Sequence, residues 1–305
     1  MRQLYPSKAK PFLKWAGGKS QLLEQFEAFF PKDFEQKDNV TYIEPFVGGG
    51  AMLFYMLQRF QNIGKVIIND INRNLTDVYA HVKNSAEQLV NELKQVEHEY
   101  SSLNGYEKQK AFYLEKRNCF NDENIDGIER SALMIFLNRT CFNGLYRENS
   151  KGKFNVPFGR YVNPTICNEE VIYADSELLN RFDVRILNGD FLEIEKVVDK
   201  DCDTFVYFDP PYRPLNATSS FNSYVKEDFD DSRQLDLAEL CKRLSIKGNV
   251  RWMLSNADCS AKNPDDTFFE TIYSGFHIHR VFASRSVNAN GDKRGKPTEL
   301  LISNY

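Results

Sequence analysis

Apolar positions along the chain follow two periods. Short continuous apolar runs bounded by turn residues occur in "NVTYIEPF", "KVIINDIN", "DVRILNGDF", "DTFVYFD", "NVRWMLSNAD" and "TELLISNY". Runs of this length, rich in β-branched and aromatic residues, read as strands buried on both faces. Helical spacing sets the other segments. Leu22, Leu23, Phe26, Phe29 and Phe30 form an apolar face that Pro31 stops, and "AMLFYMLQRF" predicts a buried helix between the first two strands. Strand, helix and strand in this order make a β-α-β unit, hence a parallel sheet with right-handed crossovers.

From about Asn74 to Arg139 the pattern turns helical and polar, in "LTDVYAHVKNSAEQLVNELKQVEHEY", "GYEKQKAFYLEKRN" and "IERSALMIFLN". The segment "TCFNGLYRENSKGKFNVPFGRY" then carries turn signals. Its Asn-Gly between β-prone arms predicts a hairpin with its tip at Phe142-Asn143-Gly144-Leu145. The expected fold class is α/β, a doubly wound and mostly parallel sheet. Residues 1–73 and 166–305 would form it, and residues 74–165 a mainly helical inserted domain carrying the β-hairpin.

The 305 residues are enough for such a pair of units and a sizeable core. The N-terminal "MRQLYPSKAKPFLKW" has no signal-peptide core, and no apolar run reaches membrane-spanning length. The six cysteines are scattered without a Cys-x-x-Cys pair, which argues against a zinc site and against a disulfide scaffold. A cytoplasmic protein with reduced thiols, no metal and no membrane association is expected. A net charge of −4 looks wrong for a nucleic-acid binder, but its distribution alters that reading. Residues 1–20 carry five Lys or Arg and no acid, residues 138–165 five against Glu148 alone, and residues 279–297 five against Asp292 alone. Such segments suit a polyanion bound through one face, and equally suit ordinary solvated loops.

Three clusters carry candidate chemistry. In "TFVYFDPPYRPLN" an apolar strand runs straight into Asp209, Pro210, Pro211 and Tyr212. The prolines can neither donate to a sheet nor continue into a helix, so a stiff, acidic, aromatic-tipped corner stands beyond the strand end. In open α/β sheets that is where ligands bind. Gly48, Gly49 and Gly50 close the first strand, and Asp70 closes the second, where an acid can accept both hydroxyls of a ribose. A dinucleotide fingerprint needs a third glycine, and Leu53 stands at that place. A nucleoside without pyrophosphate fits better. Last, "PFLKWAGGKSQLL" reads either as a plain loop before a helix or as a lid, with its backbone and Lys19 for a carboxylate and Trp15 over an aromatic or methyl-bearing group.

Taken in order, "FLKWAGGK", "EPFVGGG", "INDIN", "NRTCFNGLYR", "KFNVPFGRY" and "DPPY" resemble the Dam-type adenine-N6 DNA methyltransferases of the D12 class, over nearly the whole chain. The resemblance implies S-adenosylmethionine as donor, S-adenosylhomocysteine as product, double-stranded DNA as substrate and no metal. It assigns Trp15 and Lys19 to the methionine side of the cofactor, and Glu44, Phe46, Gly48 and Gly50 to the turn. Asp70 would take the ribose, and Asp190 and Phe191 the cofactor's adenine. Asp209 and the Pro210 carbonyl would accept the two hydrogens of the target amino group, held stiff by Pro211, while Tyr212 stacks on a base flipped out of the duplex. Phe142, at the tip with Asn143, would wedge beside that base. Arg147, Leu145 and Pro157 would read the far side of the site, Lys14 and Tyr161 the near side, as in enzymes acting on GATC. Arg139, with Asn138, would orient the hairpin or contact phosphate. The basic "RSVNANGDKRGKPTELL" resembles the family's DNA-contacting C-terminal loop.

Cytosine-C5 chemistry needs a cysteine nucleophile, usually after proline, and no Pro-Cys occurs. Two other classes stay open at this point: a sequence-specific DNA-binding protein on a methyltransferase fold that has lost activity, and a nicotinamide-dependent oxidoreductase. A monomer is expected, with no obligate protein partner implied. A cognate restriction endonuclease remains open.

Overall fold

The structure, a computed structural model, describes residues 8–19, 22–122, 124–125, 127–213, 229–282 and 298–305. Seven described strands form one sheet: β1 (Val40–Glu44), β2 (Ile63–Asp70), β3 (Asp183–Asn188), β4 (Thr204–Phe208), β5 (Val250–Ala257), β6 (His277–Phe282) and β7 (Thr298–Ser303), in the order β3-β2-β1-β4-β5-β7-β6. Strands β3, β2, β1, β4 and β5 pair in parallel, and β7 inserts antiparallel between β5 and β6. The continuous apolar runs have their expected cause. Along β1, β2 and β4 successive residues feed opposite cores: Tyr42, Val66, Ile68, Phe205 and Tyr207 point to one, Ile43, Ile67, Val206 and Phe208 to the other.

The first core is closed by α1 (Leu23–Glu27), α2 (Ala51–Arg59), α3 (Arg73–Asn84) and α7 (Glu169–Arg181), the second by α8 (Asp231–Ile246) and α9 (Phe268–Ile272). Three of these, α7, α8 and α9, have no counterpart among the helices the sequence predicts, and β6 falls in a stretch read only as a basic segment. The inserted region supplies α4 (Ala86–Ser101), α5 (Tyr106–Phe120) and α6 (Gly127–Thr140). Residues 131–138 of α6 are all buried, and Phe136 meets Tyr100 and Phe112 edge-on, each at 5.7 Å. The apolar cluster runs from the sheet into these helices without a break. Helix α3, assigned with the insertion from the sequence, packs on β2 and β3 as well as on α6 and α7, so it serves both.

The hairpin tip lies elsewhere than expected. Phe142–Gly144 is a short 3-10 turn in the first arm, where Asn143 and Gly144 take the left-handed conformation (φ 56° and 62°). The chain reverses further on. Asn149 N–H donates to the Lys153 carbonyl at 2.9 Å, and the Asn149 side chain accepts from the amides of Lys151 and Lys153. Antiparallel bridges Cys141–Phe158 and Glu148–Phe154 close the two arms.

Where α7 meets the N-terminal segment, the buried Asp175 accepts the Lys10 amide at 2.9 Å, and its second oxygen has no partner. Burial pushes its carboxyl up to about 8. Such a group keeps its proton in the fold but loses it near pH 4 in the unfolded chain, so it opposes folding increasingly as pH rises from 4 to 8. Asp175→Asn should remove that slope. Denaturant melts at pH 5 and 8 should show the variant gaining relative to the parent at pH 8, by up to about 5 kcal/mol. An equal gain at both pH values would count against a buried, protonated Asp175.

Candidate active site and DNA-facing surface

The strand order reverses between β1 and β4, and a cleft of about 510 Å³ opens beyond their carboxyl ends, the place this topology favours for a ligand. One side chain organises its floor. Asn69, 2% exposed, donates to the Pro45 and Gly189 carbonyls, both at 3.0 Å, so it ties the loops after β1 and β3 to the end of β2. Asp70 follows it. One carboxylate oxygen accepts the Gly48 amide at 3.1 Å and the other the Asn72 amide at 3.0 Å. The glycine turn is compact because nothing larger fits: a Cβ on Gly50, at φ 75°, would lie 2.4 Å from the Tyr79 hydroxyl. That hydroxyl donates to the Gly48 carbonyl at 3.0 Å. Trp15 walls the turn, and its outer face stacks on Tyr146 of the inserted region at 5.7 Å.

Asp209 stands on the neighbouring strand end. Its Oδ1 accepts from Ser255 Oγ at 2.9 Å and pairs with Lys19 Nζ at 2.9 Å. Because Ser255 has spent its only proton on Asp209, the 2.9 Å contact with the Tyr207 hydroxyl must be donated by the tyrosine. Burial holds the Tyr207 hydroxyl well above its usual range, which keeps that proton in place. Lys19 also donates to the Gly17 carbonyl at 2.7 Å and sits 4.3 Å from the centre of the Tyr212 ring. Its charge therefore turns to Asp209 rather than to an open carboxylate site. Tyr212 is steadied by its hydroxyl donating to Glu299 at 2.8 Å, and the Pro211 carbonyl by Gln234 Nε2 at 3.1 Å. Glu44, 2% exposed, accepts from the Tyr42 hydroxyl at 2.8 Å, and burial holds its carboxyl well above the usual carboxylate range. At the far end Phe46, Phe191 and Phe229 cluster with centroids 5.2–5.6 Å apart. Asp190 there accepts the Leu192 amide and is paired with Arg233, whose guanidinium covers Phe191 at 4.6 Å.

Beside the cleft mouth the structure gathers most of the expected DNA-facing residues. Phe142 is 50% exposed. Arg147 is held as a fork by Asn155, with Nε 2.7 Å from Oδ1. Pro157 is exposed, and its carbonyl fixes the Phe142 amide at 2.8 Å. Lys14 Nζ lies 4.2 Å from the centre of the Tyr161 ring. Arg139 differs from expectation. It turns inward, donating to the Phe12 carbonyl at 2.6 Å, with its Nε buried and unsatisfied. That makes it a strut between α6 and the N-terminal segment. The sequence reading passed over Ser255, Glu299, Gln234 and Arg233. Their partners lie far along the chain, and only a strand end in "MLSNAD" hinted at the first. The basic C-terminal loop lies, in residues 283–297, outside the described residues.

A mostly parallel sheet with one reversed strand, a glycine turn facing an acid, and an Asp-Pro-Pro-Tyr corner together define a methyltransferase fold of the S-adenosylmethionine-dependent kind. A family model described as D12 class N6 adenine-specific DNA methyltransferase matches residues 15–287, and the chain belongs to that family. It is 50% identical over 299 residues to the Type II methyltransferase M.MjaIII of Methanocaldococcus jannaschii, covering 97% of this chain and 99% of that one. It is 40% identical to the Type II methyltransferase M1.LlaDCHI of Lactococcus lactis (97% and 95% covered) and 33% identical to a DNA adenine methylase of Haemophilus influenzae (96% and 93%). The protein is an adenine-N6 DNA methyltransferase. The family and fold imply S-adenosylmethionine, and with it the oxidoreductase reading lapses. Among the described residues no helix is long and apolar enough to cross a membrane.

Proposed function

We propose that the chain methylates adenine N6 within GATC in double-stranded DNA, acting on a base flipped out of the duplex. The observation that carries the chemistry is the half-occupied Asp209 carboxylate. Its Oδ1 is taken by Ser255 and Lys19, while Oδ2 has no partner among the described residues and remains as an acceptor at the cleft mouth. An exocyclic amino group is a poor nucleophile because its lone pair is delocalised, and it must become tetrahedral as it reacts. Oδ2 and the Pro210 carbonyl accept its two hydrogens and stabilise the positive charge that develops. Tyr212, steadied by Glu299, offers the flipped base a stacking face.

The cleft residues fit the donor. Asp70 would accept the ribose hydroxyls, Phe46 and Phe191 would line the adenine, and Glu44, Trp15 and the glycine turn would border the methionine. Asp190, holding the Leu192 amide on one oxygen and Arg233 on the other, keeps a further acceptor site on each for the adenine. S-adenosylmethionine supplies, when bound, an electrophilic methyl group on a sulfonium. For target choice, Arg147 with Leu145 and Pro157 reads the far side, a guanine and a thymine methyl, and Lys14 with Tyr161 the near side. Phe142 fills the gap left by the flipped base, beside Asn143.

Sequencing of modified bases in DNA from a methylation-free host expressing this chain tests the proposal. Plasmid from that host should be cut by an endonuclease that requires methylated GATC and resist one that requires the unmethylated site. Modified adenines in another sequence would remove GATC and leave the adenine-N6 chemistry standing.

A further inference from the structure

Two elements distant in sequence share the DNA-facing surface: the N-terminal segment with Lys14, and the ribbon with Phe142, Leu145 and Arg147. One buried side chain hydrogen-bonds to the main chain of both. Asn138, 1% exposed near the end of α6, accepts the Lys14 amide on Oδ1 at 2.8 Å. Its Nδ2 donates to the Lys14 carbonyl at 2.7 Å and to the Gly144 carbonyl at 3.0 Å. Every hydrogen on the amide is used, and both main-chain polar groups of Lys14 are bound, as a neighbouring strand would bind them. Gly144 lies directly against the Lys14 side chain at this point. A Cβ on Gly144 would lie 2.5 Å from the Lys14 Cβ. On the same helix Arg139 fixes the Phe12 carbonyl, and across the contact Lys14 lies over Tyr161.

The other ties across this junction are ring contacts, Trp15 stacked on Tyr146 and Lys14 over Tyr161, which are less directional than a fully bonded amide. Lys14 lies outside any described strand or helix, and Phe142–Gly144 is a three-residue turn. A buried amide that satisfies three main-chain groups tolerates little displacement, because any shift leaves a polar group unpaired at about 1–3 kcal/mol. We propose that Asn138 is a positioning residue for target specificity, holding the near-side and far-side readers in one register so that both halves of the site are checked together. This rests on the assignment of Lys14 and Arg147 as readers given above.

Methylation rates are to be measured on duplexes carrying the recognition site found by sequencing and on duplexes with one base pair changed in either half. Lys14→Ala should relax discrimination in the near half alone and Arg147→Ala in the far half alone. Asn138→Ala should relax both, each by about tenfold, equivalent to about 1.4 kcal/mol. A merely structural role would instead lower the rate on every duplex by one factor. Should Asn138→Ala not fold, Gly144→Ala disturbs the same junction from the other side and should give the same double relaxation. A uniform loss, or relaxation in one half only, overturns the inference while the readers stand. Unchanged discrimination in both Lys14→Ala and Arg147→Ala overturns the reader assignment, and the inference falls with it.

Discussion

Asp209→Ala should abolish methyl transfer while leaving a folded protein that binds cofactor and duplex DNA. The carboxylate matters mainly when the amino nitrogen becomes tetrahedral, so its removal should act on turnover rather than on affinity. Losing one acceptor aimed at developing charge costs on the order of 10²-fold or more. The buried Lys19 loses its counter-charge, so the melt should fall somewhat, but the other contacts hold the site together. Lys19 keeps the Gly17 carbonyl and the Tyr212 ring, Ser255 keeps Tyr207, and Glu44 is relieved of a neighbouring negative charge. Single-turnover transfer, cofactor calorimetry and a thermal melt on the same preparation separate these effects. Turnover near that of the parent would remove Asp209 from the mechanism. Weakened cofactor binding with a normal single-turnover rate would move it to the binding site.

What could be read in the sequence depended on whether the governing interactions are local. Phe205–Phe208 announces a strand because each residue is apolar and each face of the sheet is covered. Asp209–Tyr212 announces a corner because two prolines permit little else. Strand β6 gives no such signal: in "HIHRVF" His277, His279, Arg280 and Phe282 are exposed, as an edge strand allows, and only Val281 is buried. The Asn-Gly at 143–144, read as the hairpin tip, is a turn within the first arm. Both residues are left-handed, but the reversal belongs to Asn149, whose side chain caps it. The supports of the site were hidden for another reason. Ser255 lies 46 residues from Asp209, Glu299 87 from Tyr212, and Asn138 124 from Lys14. A hydrogen bond across such a span leaves no period or composition behind it, so Ser255 and Glu299 emerge only once the chain is folded, and for Asn138, placed with the hairpin by resemblance, only the fold reveals Lys14 as its partner.

Asp70 tests the other half of the site, and its pH dependence has a definite sign. Burial pushes its carboxyl up to about 6, against the pull of the amides of Asn72 and Gly48. Only the ionised form can accept from both ribose hydroxyls without offering a proton of its own. S-adenosylmethionine should therefore bind at full strength above pH 7 and progressively more weakly as pH falls through 6. Asp70→Ala removes hydrogen bonds to a charged group, worth about 1.5–3 kcal/mol each net of exchange with water, and it leaves the Gly48 amide without its acceptor. A loss of affinity of roughly 30-fold or more follows from even one such bond and a loosened turn. At saturating cofactor the rate should largely return, because Asp209 and Tyr212 stand on another strand end. Asp70→Asn keeps the shape without the charge, so its affinity should be weak and flat between pH 5 and 8. Calorimetry over that range decides the matter. An affinity equal to the parent's in Asp70→Ala, or an acid limb that persists in Asp70→Asn, would mean that the ribose is held elsewhere.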